Sequence, residues 1–119
     1  MATYRMTMLV CADLARSRDF YRDVIGLKVG IDEPPHWVDF PLGGGIELGL
    51  HPVSDEMSLQ PGSMSLGFAV DDVDAAIAGM KSKGVRVLSE PREQTFGRLA
   101  IIADPDGYSV QLVTPKHWG

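Results

Sequence analysis

The side chains able to do chemistry in this chain are few. Glu47 stands in Ile46-Glu47-Leu48, where the period-2 alternation of a strand sends the two aliphatic residues to one side and the carboxylate to the other. A carboxylate in an apolar site is favoured in its neutral form and can serve as a general base beside a carbonyl. Left ionised, it orients a cation or a hydrogen-bond donor. His51 follows on the same face of the strand, but at ~3.3 Å per residue its Cα is about 13 Å from that of Glu47, too far to share one metal ion without a bulge. His36 falls in a different strand and His117 in the C-terminal tail. Trp37 offers a ring face for a planar ligand and Arg98 a guanidinium for a carboxylate, against the simpler readings of strand packing and a solvated strand start. Asp104 and Asp106 lie in Asp104-Pro105-Asp106-Gly107, whose proline and glycine positions fit a type I turn, so they read as turn formers rather than metal ligands. Gly43-Gly44-Gly45 is a hairpin turn and not a phosphate cradle, because neither a Lys-Ser/Thr pair nor a helix follows it.

Composition narrows the partners. With 119 residues and 45% hydrophobic content the chain fits one domain with one core, and nothing suggests disorder. A domain of this length buries only about two-thirds of its unfolded surface, so association would help it. A formal charge of -5, with 16 acidic residues against 11 basic and no Lys/Arg cluster, disfavours nucleic acid and anionic lipid, and it favours a cationic ligand. The single cysteine, Cys11, excludes an intramolecular disulfide and a Cys-rich zinc site, which suits a cytoplasmic location; it reads as a small buried hydrophobe. Too few residues precede it for a lipoprotein signal, and no apolar run approaches the ~18 residues of a membrane span.

The elements that must position these groups repeat along the chain. Tyr4 to Val10 reads as a strand, and Asp13 then caps a helix whose Leu14, Tyr21, Val24 and Ile25 share one face and which Gly26 ends. Met64 to Val70 is a second strand, Asp72 a second cap, and Val73, Ala76, Ile77 and Met80 a second apolar stripe, ended by Gly84. The two stops lie about 58 residues apart, and each leads into a short predicted strand, Leu27-Lys28-Val29 and Val85-Arg86-Val87. Two hairpins complete the halves: 36–41 with 46–51, and 98–103 with 109–114. The expected organisation is module one at about 3–52, a linker at about 53–62 and module two at about 63–115.

This pattern resembles the vicinal oxygen chelate superfamily, which groups glyoxalases, bleomycin-resistance proteins and extradiol dioxygenases. The resemblance spans nearly the whole chain. Its marks are Asp13-Leu14-Ala15-Arg16-Ser17 with Phe20-Tyr21 and Ile25-Gly26-Leu27, Phe96-Gly97-Arg98, and Asp104-Pro105-Asp106-Gly107-Tyr108 followed by Val110-Gln111-Leu112. It implies an α+β fold in which two βαβββ modules form a curved mixed sheet around a cavity, with helices on the outer face. It also implies a homodimer, in which each cavity is built from the first half of one chain and the second half of another. Glyoxalase-like members bring four side chains, usually His and Glu, to one divalent metal. The matching positions here are Met6, Glu47, Ser65 and Gln111, of which only Glu47 is a good ligand for Zn, Ni, Mn or Fe. The expectation is therefore no metal and no cofactor.

What remains is a site for a small molecule. Alternation puts Met6 with Met8, Glu47 with Gly49, Ser65 with Gly67 and Ala69, and Ser109 with Gln111, which makes an apolar surface with a few polar points. Met6, Met8, Trp37, Glu47, Ser65, Arg98 and Gln111 are the candidate ligand-binding residues. The favoured reading is a metal-independent, bleomycin-resistance-like binder of a small organic compound. Its alternatives are an isomerase, lyase or dioxygenase-type enzyme with Glu47 as base or residual metal ligand, and a degenerate, purely structural or regulatory module; the simpler reading of the cavity itself is that Glu47 and Gln111 hydrogen-bond each other in a filled interior.

Overall fold

The computed structural model describes residues 1–116, so the His117 position lies outside the described residues. The chain divides into two compact units, Met1–Gln60 and the part from Pro61 onward. Each has the order β-α-β-β-β. The first holds β1 (Met6–Cys11), α1 (Leu14–Asp19) running on into a π-helical segment (Phe20–Ile25), β2 (Asp32–Glu33), β3 (Trp37–Gly43) and β4 (Ile46–Pro52). The second holds β5 (Ser65–Ala69), α2 (Val73–Ser82), β6 (Val87–Gln94), β7 (Gly97–Ala103) and β8 (Ser109–Pro115). Their four-stranded mixed sheets are ordered β1-β4-β3-β2 and β5-β8-β7-β6, with the outer first strand parallel to the last and the other pairs antiparallel. The fold is α+β.

Both helices begin at the aspartates the sequence indicates. Asp13 and Asp72 are extended at φ -142°, and each side chain accepts a hydrogen bond at 3.1 Å, from the amides of Arg16 and Ala75 respectively. Such a cap satisfies one of the amides that a helix start leaves without an internal partner. In the first unit the helix then widens into a π turn, and two consecutive aromatics, Phe20 and Tyr21, are both buried there with their rings edge to face at 5.0 Å. Beneath them, Leu9, Cys11, Val38, Phe40, Leu48 and Leu50 alternate along β1, β3 and β4 to form the core face. The second unit packs Val73, Ile77 and Met80 of α2 over Ala100, Ile102, Val110 and Leu112.

The short strands expected after each helix differ from those observed. Leu27-Lys28-Val29 forms no strand; pairing begins only where Gly30 donates to the Asp39 carbonyl, and β2 stops before Pro34 and Pro35, which have no amide to donate. Val85 and Arg86 also precede their strand, while β6 runs on to Gln94 through Pro91, a residue tolerated because β6 is an edge strand whose register shifts there. The Asp104 turn forms as its composition suggests. Gly107 donates to the Asp104 carbonyl at 3.0 Å, and Asp104 Oδ1 accepts from the amides of Asp106 and Tyr108 at 2.9 Å.

Candidate functional site

The face of the first sheet turned away from its helix carries most of the expected residues. Met6 pairs with Glu47, Met8 with Gly49 and Val10 with His51 across the parallel β1-β4 ladder, and Asp39 of β3 lies opposite Gly49 on the other side. Trp37, two residues before Asp39, shares that face. Met6, Met8, Trp37 and Glu47 are thus brought together. Gly49 sits at the centre for a steric reason: a Cβ there would run into the six-membered edge of the Trp37 indole, and the Met6 sulfur reaches the same point. The ring is also tied at its polar end, where Nε1–H donates to Asp39 Oδ2 at 2.8 Å.

Asp39 and Arg5 are absent from the sequence-based set. Asp39 is buried, 5% exposed, with Oδ1 accepting from the Ile31 amide at 2.9 Å while Oδ2 takes the indole. The signal was present in the period-2 spacing to Trp37. Arg5 Nη2 stands 3.7 Å from Glu47 Oε1, and its Nη1 donates to the Gly45 carbonyl at 3.2 Å. Arg5 immediately precedes β1, so strand alternation does not govern its side chain. The Glu47 side chain is 20% exposed and that of Arg5 70%, an arrangement in which the pair is screened by water and weak.

The second sheet is different. Ser65 and Gln111 share its face turned away from α2, but Ser65 lies opposite Ser109, with the hydroxyl oxygens 3.0 Å apart, and Gln111 lies opposite Gly67 and Ile101. Arg98 alternates with Ala100 and Ile102 and so points to the helix side, apart from Ser65 and Gln111. Its Nε and Nη2 make a bidentate pair with Asp74 at 2.6 and 2.9 Å, and Nη1 reaches Glu93 at 3.3 Å. That bonding holds the Asp74 carboxyl below the usual aspartate range and raises the guanidinium further. Of the other histidines, His36 is exposed at the turn before β3. His51 places Nδ1 2.7 Å from the Pro52 carbonyl, which can only accept, so Nδ1 carries the proton.

Two four-stranded β-α-β-β-β units with these motifs are reflected in the comparison with known families: the model of the Glyoxalase/Bleomycin resistance protein/Dioxygenase superfamily matches residues 4–112. The chain belongs to this superfamily. A probable chloroplastic lactoylglutathione lyase of Arabidopsis thaliana is 33% identical over 85% of the chain, which spans about a third of that relative's length (32%). The phenazine antibiotic resistance protein EhpR of Enterobacter agglomerans is 27% identical, over 92% of this chain and 90% of its own. Among solved structures, TnmS3, an antibiotic binding protein from Streptomyces sp. CB03234, superposes with a TM-score of 0.79 at 30% identity, covering 98% of each chain.

The family resemblance implies that a divalent metal, where one is held, would meet the positions of Met6, Glu47, Ser65 and Gln111. A thioether, one carboxylate already beside a guanidinium, a hydroxyl bonded to a second hydroxyl and a neutral amide do not fit the needs of Zn, Ni, Mn or Fe. Among the described residues, no three His, Cys, Asp or Glu side chains gather as a metal site. No helix among them is long and apolar enough to cross a membrane.

Proposed function

We propose that this superfamily member binds a small, flat organic compound without a metal, on the face of the first sheet that carries Met6, Met8, Trp37 and Glu47. The observation that carries this reading is Trp37, half-buried, seated over Gly49 and tied to Asp39, with flexible methionines beside it and a carboxylate on the same face. An aromatic face with adaptable thioethers and one anchoring charge is the usual composition of a small-molecule site. Ser65 and Gln111 supply hydrogen-bonding points on the face of the second sheet. The antibiotic-related descriptions of EhpR and TnmS3 agree with a binding role. The net charge of -5 favours a cationic ligand.

The protein is further proposed to act as a homodimer, since a domain of this size gains from association. Light scattering at micromolar concentration is expected to give twice the chain mass, and a monomer contradicts it.

The binding test is a fluorescence titration of Trp37 in a Trp118→Phe background against a panel of planar aromatic compounds, cationic, neutral and anionic. Saturable quenching by at least one class is expected, and isothermal titration calorimetry with the same compound should show its binding lost in Trp37→Ala. An unquenched response across the panel overturns the reading. Elemental analysis of protein purified without chelator is expected to find no stoichiometric transition metal; one Zn, Ni, Mn or Fe per chain defeats metal independence. Turnover that vanishes in Glu47→Gln while binding persists would make the protein an enzyme instead.

A further inference from the structure

Trp37 is held more firmly than a binding aromatic on a strand needs to be for packing alone. Its indole N–H, the only donor of the side chain, is taken by Asp39 Oδ2 at 2.8 Å. The other carboxylate oxygen accepts from the Ile31 amide at 2.9 Å, and the Asp39 backbone pairs with the same segment on both sides, accepting from Gly30 at 2.8 Å and donating to Ile31 at 2.9 Å. Gly30 is fitted to this carboxylate, because a Cβ there would collide with Oδ1. At the far end of the ring, Gly49 leaves the space that the six-membered edge fills. Two glycines and one buried carboxylate thus define both ends of one indole.

We propose that Asp39 is a positioning residue that fixes Trp37 as a stacking platform and, by occupying its N–H, makes the site select ligands by ring face, in favour of flat cationic aromatics. This rests on the ligand-binding reading of the Trp37 face. Two physical effects carry it. A buried carboxylate is costly unless bonded, so it holds its two donors in place and removes the rotamer freedom that a ligand would otherwise have to freeze. A charge-assisted hydrogen bond to the indole N–H also pushes electron density into the ring, which strengthens its attraction for a cation over its face. A ligand seeking a hydrogen bond from the indole finds the donor already taken.

The experiment uses the full chain with Trp118→Phe, and two probes: proflavine, flat and cationic, and anthraquinone-2-sulfonate, flat and anionic. Time-resolved anisotropy of Trp37 is expected to show only overall tumbling, and Asp39→Asn to add a fast component. Proflavine affinity should fall about tenfold in Asp39→Asn, anthraquinone-2-sulfonate affinity less than threefold, and the proflavine effect should disappear in a Trp37→Phe background. An immobile Trp37 in Asp39→Asn, or an equal proflavine loss with and without Trp37, makes Asp39 a structural residue and overturns the proposal. Should Asp39→Asn fail to fold, hydrogen exchange of the Trp37 indole N–H in the unaltered site decides: exchange slowed at least tenfold relative to free indole is expected, and fast exchange refutes the clamp. If neither probe binds the protein, the ligand-binding reading fails, while anisotropy and indole exchange still judge the role of Asp39.

Discussion

The two halves share a backbone plan and differ in what they place on it. In both, an extended aspartate at φ -142° caps the helix, the first strand lies parallel to the last, and a two-strand hairpin closes the sheet. Yet the face turned away from the helix carries Met6, Met8, Trp37, Asp39 and Glu47 in the first unit, and Ser65, Gly67, Ala69, Ser109 and Gln111 in the second. The cores diverge too: an aromatic cluster of Phe20, Tyr21 and Phe40 in the first, aliphatic residues against α2 in the second. Backbone hydrogen bonding and caps tolerate such divergence, because they depend on short polar residues and turns, while the exposed faces are free to acquire separate chemistries.

The sharpest way to break this comparison lies in the cores. Phe40 is fully buried with its ring centroid 6.1 Å from that of Tyr21, so Phe40→Ala should lower stability by about 3–5 kcal/mol in denaturant melts, through lost burial and the cavity left behind. Ile77→Val in α2 should lose only about 0.5–1.5 kcal/mol. Equal losses would mean that the aromatic cluster confers nothing special on the first unit.

The faces come next. Glu47→Gln keeps shape and removes charge, and affinity for a ligand found in the fluorescence screen should fall by about 1.5–3 kcal/mol, the scale of a hydrogen bond to a charged group. Thermal stability should stay nearly unchanged, because the exposed pair with Arg5 is worth less than about 1 kcal/mol. A mutant that melts much earlier with affinity intact would make Glu47 a structural residue.

The caps should behave alike if the backbone plan is truly common. Asp13→Ala and Asp72→Ala are each expected to reduce stability by about 1 kcal/mol, measured by chemical denaturation. A loss confined to one would show that only one helix depends on its cap.

The smallest effect is confined to the second unit. Bonding to Arg98 depresses the Asp74 carboxyl below its ordinary value, so the bridge contributes fully above the unfolded-state value near ~3.9 and is lost as pH falls through the depressed one. Asp74→Asn should therefore reduce stability at neutral pH slightly and flatten its decline in acid. NMR titration should find Asp74 protonating below the usual aspartate range, and an ordinary midpoint would show the bridge to be absent in solution.

The α+β class, the repeat, both caps, the two hairpins and the Asp104 turn were legible in the amino-acid sequence because each rests on local physics: period-2 or period-3.6 alternation, short polar caps, glycine and proline geometry. So was the sharing of a face by Met6 with Met8 and by Glu47 with Gly49, whereas the juxtaposition of the two pairs depends on the parallel pairing of β1 with β4. The strand after α1 was not legible, since Leu27-Lys28-Val29 has strand composition and only the pairing partner decides where a ladder begins. Neither was the destination of Arg98, whose side of the sheet follows from alternation but whose bonding to Asp74 and Glu93 depends on where α2 packs. Arg5 beside Glu47, and Asp39 beneath Trp37, likewise depended on tertiary structure: ion pairs and buried hydrogen bonds form between residues that the register brings together, and register is settled by the packing of a whole sheet face.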